Sequence, residues 1–201
     1  MKKVMLIMLL FTVIVSAKTF TKAEKQKMVK QFAEFQTAIK NKDIGKVSSM
    51  VQFPLNEDAV YSFSVDENFD EEITKNFFMK NSSSVLEKLD FMVEIKTNPD
   101  SGNIKGYQDD EIPDEMKKRK YYYDDNEDSY YYKDKNNKKV YETLCSSGAD
   151  AYFWDNYLVV SDNSFPSKLT PGASEECDHS IIYYFELIGG KLKLVRVLTA
   201  G

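Results

Sequence analysis

The side chains best equipped for chemistry gather near the carboxy terminus, where Cys177, Asp178 and His179 follow one another and His179 is the single histidine of the chain. A thiol becomes a nucleophile when a base stands beside it, and strand alternation puts residues two apart on one face, as Cys177 and His179 would be. Asp178 and His179 could instead work as an acid–base pair, although a lone histidine at a strand entry is commonly solvated or structural. Trp154-Asp155-Asn156-Tyr157 offers an indole on which a sugar ring could stack, in a tetrapeptide that reads as a turn between strands 151–154 and 157–161. Two tyrosine triplets, Tyr121 to Tyr123 and Tyr130 to Tyr132, bracket an acidic block.

That block places Asp124, Asn126 and Asp128 at alternate positions, as a calcium loop begins. A calcium loop also needs glycine at its sixth position and glutamate at its twelfth, and Ser129 and Lys135 stand there. Asp66, Asn68 and Asp70 repeat the fragment with Glu71 and Phe77 at those places. No metal is therefore expected at either. A hairpin with an acidic tip accounts for both halves of the tyrosine segment, because tyrosine favours strands and Asp, Asn and Ser favour turns; an exposed aromatic ribbon is also a surface on which a partner can dock.

No Gly-x-Ser-x-Gly elbow, glycine-rich phosphate loop or spaced histidine pair occurs. No catalytic residue and no cofactor is assigned. The net charge of -5, with one basic run at Lys117-Lys118-Arg119-Lys120 flanked by acids, argues against a nucleic-acid partner, whose phosphates require converging cations.

The elements that would carry these residues begin with an export signal. Lys2 and Lys3 precede an apolar run from Val4 to Val15, and Val15-Ser16-Ala17 is a small-residue cleavage signature, so residues 1–17 read as a signal peptide. The run is shorter than the roughly 18 residues of a membrane span. The mature protein, 18–201, is expected to be periplasmic or secreted, without a membrane span, and to form a single domain. Export favours a disulfide between Cys145 and Cys177, worth roughly 3 to 4 kcal/mol, with a reactive thiol as the rival.

Thr21-Lys22-Ala23-Glu24 matches a capping box, and Met28, Phe32, Phe35 and Ile39 recur on one helical face. A break at 41–43 precedes a short helix over 44–51 capped by Asp43. Tyr61 to Val65 alternates apolar residues with serine and predicts a strand; 71–89 predicts helix interrupted at 81–84; 91–97 predicts strand. The segment 98–139 is polar and punctuated by glycine and proline, an insertion or an extended hairpin. Segments 180–188 and 191–198 predict a hairpin about Gly189-Gly190. Its register, started from Ile188 facing Lys191, would set Leu187 against Leu192, Phe185 against Leu194 and Tyr183 against Arg196. Tyr183, Phe185 and Arg196 then share a core or pocket face.

The order of these features resembles exported bacterial proteins of the nuclear-transport-factor-2-like (cystatin-like) superfamily: an amphipathic helix ending in Ala38-Ile39-Lys40-Asn41-Lys42-Asp43, a helix leading into Phe53-Pro54-Leu55, a Phe77-Phe78 helix, and Tyr184-Phe185-Glu186 turning through Gly189-Gly190-Lys191. The resemblance implies an α+β cone, with amino-terminal helices on a curved antiparallel sheet and a pocket between them, here with an expanded polar central segment. Tyr183, Phe185, Arg196 and Trp154 are the candidate ligand contacts. An arginine among aromatic rings suits an anionic group. The expected function is that of a non-catalytic binding or interaction module for a small molecule or an envelope protein. The alternative is a small-molecule enzyme of isomerase or dehydratase type that uses Asp178 and His179 or pocket tyrosines.

Overall fold

The computed structural model describes residues 20–63, 72–109, 112–171 and 177–200; the expected signal peptide, 1–17, and the Asp66, Asn68, Asp70 fragment lie outside them. Helices come first. Thr21 closes the capping box with Glu24, and α1 (Lys22–Lys40) buries Met28, Phe32, Phe35 and Ile39. Asp43 accepts from the Lys46 amide to start α2 (Ile44–Ser49). Then follow α3 (Asp58–Phe63), α4 (Lys75–Lys80), α5 (Ser82–Leu89) and a 3-10 turn over Asp90–Glu94.

Two of the strand expectations fail. Of the strand expected over Tyr61 to Val65, residues 61–63 lie in α3, where Ala59 and Phe63, four apart, are both buried in the core, and 64–65 lie outside the described residues; alternation over so few residues also satisfies a helical face. The expected strand over 91–97 is split, its first part joining the 3-10 turn and only Lys96–Asn98 forming β1. The break at 81 between α4 and α5 agrees with the expected interruption.

The architecture is α+β, helices followed by antiparallel sheets. β1 pairs with β2 (Asn103–Lys105). β3 (Tyr107–Asp109) flanks β7 (Cys145–Trp154), which runs on as a meander through β8 (Tyr157–Pro166), β9 (His179–Ile188) and β10 (Lys191–Ala200), giving the order β10-β9-β8-β7-β3. Between β3 and β7 the chain makes α6 (Asp114–Lys117) and a separate three-stranded sheet of β4 (Tyr122–Asp124), β5 (Ser129–Lys133) and β6 (Lys139–Tyr141).

One face of the five-stranded sheet packs on the helices. Phe185 meets Phe32 and Phe35 at centroid distances of 5.4 and 5.3 Å, and Tyr183 lies between Phe63 and Phe91. Polar side chains of α1 fasten it to the rest of the fold: the Leu192 amide donates to Gln31 Oε1 at 2.8 Å, and Gln36 donates to the carbonyls of Met92 and Ile95. The outer edge of β10 is bonded at Leu194, which exchanges backbone hydrogen bonds with Met50 and Gln52.

Candidate functional site

Gly189 and Gly190 take φ of 57° and 78°, the left-handed values of a tight two-residue turn, and the β9–β10 register follows the expectation from Lys191↔Ile188 to Leu194↔Phe185. There a bulge intervenes. Arg196 faces Tyr184, not Tyr183, and Val197 takes the place opposite Tyr183. The shift keeps an apolar side chain inside and sends the guanidinium out, since a slip of one residue exchanges faces. Asn56 braces the irregularity, accepting from the Val197 amide at 2.9 Å and donating to its carbonyl at 2.6 Å.

The four candidate contacts therefore divide between two faces. Tyr183 and Phe185 are buried against the helices, and Trp154 and Arg196 stand on the opposite, outer face. On that face the register brings together residues from four strands. Trp154 pairs with Tyr157, and Tyr152, Val159, Tyr184 and Arg196 form the next rung. Tyr184 is the hub: Trp154 and Tyr157 approach its ring at 6.4 and 5.4 Å, and the Arg196 guanidinium sits 5.7 Å over it. Trp154 is 58% exposed and Tyr152 48%, although both are large aromatics. The rings also roof Val159, which is buried on the same face.

The turn that displays Trp154 is as expected, with Asp155 at φ 50° where short Asx side chains tolerate left-handed backbone. Farther along the same face lies a shallow cleft of about 390 Å³, lined by Gln108, Gly148, Asp150, Asn163, Asp178 and Ser180 among others. A polar row crosses its floor: Ser180 donates to Asn163 at 2.8 Å, and Asn163 donates to Asp150 at 3.1 Å. Gly148, in the cleft lining, lets the β3 backbone come close, because a Cβ there would lie 2.8 Å from the Tyr107 carbonyl oxygen. Tyr152, Asp150, Gly148 and Asn163 were absent from the sequence-derived candidates. The Tyr-x-Trp alternation across the turn from Tyr157 was the signal that could have found the first.

Cys145 and Cys177 form a disulfide, so the thiol alternative does not hold. Asp178 lines the cleft, and His179 opens β9 as an exposed residue opposite Ser164. On the helix-facing side, Asp162 pairs with Ala149 and Ile181, one rung from Tyr183. Among the described residues its carboxylate has no hydrogen-bond partner. Burial raises its pKa, an effect that His179 and Lys88 partly offset. Burial raises the Tyr107 and Tyr183 hydroxyls too, and the Asp162 charge adds to both.

The tyrosine segment is a hairpin extended by a third strand. Tyr122 pairs with Tyr131 and Tyr123 with Tyr130, with Tyr141 continuing the first row. Cations cap the rings, Arg119 over Tyr132 at 4.3 Å and Lys139 over Tyr131 at 4.5 Å. Arg119 also makes a two-pronged pair with Glu142, and Asp124 is held by Lys139, by Tyr141 at 2.8 Å and by the Asn126 amide. These contacts occupy the oxygens that a calcium loop would aim at its ion, and Asp128 likewise accepts from Tyr123. Among the described residues no helix is long and apolar enough to cross a membrane.

No protein-family model, curated protein or solved structure matches the chain.

Proposed function

We propose that this is an exported, non-catalytic ligand-binding module of the nuclear-transport-factor-2-like cone type, and that its ligand lies on the outer face of the five-stranded sheet. One observation carries the reading: large exposed rings, Trp154 and Tyr152, are gathered with Tyr157, Tyr184 and Arg196 beside an open polar cleft. Exposed aromatic clusters on soluble domains mark binding surfaces, because their retention in water gains nothing for the fold. The disulfide and the apolar leader support export. The test is a thermal-shift screen of the mature protein against metabolite and glycan libraries, repeated with Trp154→Ala and Arg196→Ala. A stabilising compound whose effect disappears in the variants and that is recovered unchanged supports the proposal. Hits indifferent to both substitutions overturn it.

A second reading, a small-molecule enzyme, is favoured by Asp162. A half-buried carboxyl group without a hydrogen-bond partner among the described residues, in the field of Tyr107 and Tyr183, is equipped to exchange a proton with a bound substrate. This reading replaces the first if a screening hit is consumed and Asp162→Asn abolishes turnover while leaving the melting curve cooperative.

A further inference from the structure

We infer that the ligand of the outer face is an oligosaccharide chain lying along the strands, its rings stacked on Trp154 and Tyr152 and its hydroxyls bonded in the cleft that Gly148 lines. The inference rests on the binding-module reading and specifies its ligand.

The aromatic end alone would accept many apolar groups. The cleft narrows the choice. From Trp154 to Gly148 along β7 is six residues, about 20 Å at the usual strand rise, so both ends are within reach of one extended chain. A lipid tail would desolvate the Asp150 and Asp178 carboxylates without compensation. A peptide adding a strand needs an open sheet edge, whereas the rings and the cleft lie on a sheet face; the β10 edge is bonded at Leu194 by Met50 and Gln52. A polyanion is disfavoured at the cleft by the same two carboxylates.

A neutral sugar satisfies both ends. Its C–H faces suit the electron-rich faces of the indole and phenol rings. Its hydroxyls donate to carboxylates in charge-assisted hydrogen bonds and accept from amides. Asn163, itself held by Ser180, already donates to Asp150, which fixes the Asp150 carboxylate in place before a ligand arrives. Among the described residues the side chains of Gln108 and Asp178, which line the same cleft, make no hydrogen bond, and each is exposed. They complete a set of an amide and two carboxylates open to hydroxyl groups.

The experiment is affinity electrophoresis of the disulfide-intact mature protein through gels containing hydroxyethylcellulose, galactomannan, soluble starch or glycol chitin. Isothermal titration with the matching hexasaccharide follows. Trp154→Ala and Gln108→Ala are the variants, both at exposed positions and each verified by its melting curve. At least one polysaccharide is expected to retard the protein, with affinity for the hexasaccharide reduced about tenfold in each variant. If none retards it while another compound binds in a Trp154-dependent way, the saccharide inference falls and the binding face stands. If no compound of any class depends on Trp154, both fall. Retardation unchanged in both variants also overturns the inference.

Discussion

Reducing the Cys145–Cys177 bond tests how the cleft end of the sheet is held. The bond closes 32 positions of chain, joining the first residue of β7 to the residue two before β9. The chain-entropy relation gives about 3.7 kcal/mol at 25 °C for a loop of that size. For a chain of this length each kcal/mol moves the melting temperature by about 2 to 4 °C, so reduction should lower it by about 7 to 15 °C. Reduction is a cleaner perturbation than substitution, because Cys177 is fully buried and a serine there would add the cost of an enclosed hydroxyl. The hydrogen bonds between Thr170 and the Leu144 backbone remain in the reduced form and keep the strand ends from separating completely. The assay is circular-dichroism melting with and without a phosphine reductant, with alkylation and mass spectrometry counting thiols. The double variant, Cys145→Ala with Cys177→Ala, should melt at one temperature in both conditions. A reduced wild type melting within about 2 °C of the oxidised form would refute the argument, as would two alkylatable thiols in the native, unreduced protein.

Three further outcomes follow from single side chains. Thr21→Ala removes the cap of α1 and should cost about 1 kcal/mol, read as a lowered denaturant midpoint with an unchanged slope. Asp162 has its pKa raised in the folded state, so the fold holds that proton more tightly than the unfolded chain does; stability is lost as pH rises through the folded value. Asp162→Asn should therefore melt higher than wild type at about pH 7, and the gap should close below the ordinary aspartate range of about 4. Asp124 has the opposite sign: hydrogen bonds from Lys139 first, then Tyr141 and the Asn126 amide, lower its pKa to about 2, so its contribution is present above the ordinary carboxylate range and is lost as pH falls toward about 2. Near-ultraviolet circular dichroism of the tyrosine sheet should change in that acid window, and Lys139→Gln should start the change at higher pH.

What could be read from the sequence was what depends on neighbours along the chain. The Thr21–Glu24 box, the four-residue apolar stripe of α1, the Asp43 cap and the Gly189-Gly190 turn are local, and all are found. The β9–β10 register is correct only as far as the turn controls it. Beyond Leu194 it is governed by Asn56, some 140 positions away, and by which side chain the helices can bury. The helix at Tyr61 was hidden for a related reason, since a short alternation with serine also satisfies a helical face once Ala59 and Phe63 meet the core. Trp154 and Arg196 could be singled out by type, but their meeting across Tyr184 required the bulge and the full meander.

Elsewhere the sheet is engaged mainly by the helices. On its helix-facing side Phe32, Phe35, Phe63 and Phe91 pack on Phe185 and Tyr183, and this dense aromatic packing buries both rings. One edge is bonded at Leu194 by Met50 and Gln52, and β3 covers the other only along Ser147 to Ala149 of β7. Within the described sheet, the outer face combines large exposed rings with an open polar hollow, and the bulge after Leu194 is what adds a cation to it. Without that one extra residue Arg196 would stand opposite Tyr183 in an apolar interior, where an unpaired guanidinium is costly, and Tyr184 would lose the charge above its ring. The same irregularity thus keeps the core apolar and sets the cation on the outer face, so Asn56→Ala should lower the melting temperature and, under the proposed function, weaken ligand binding with it.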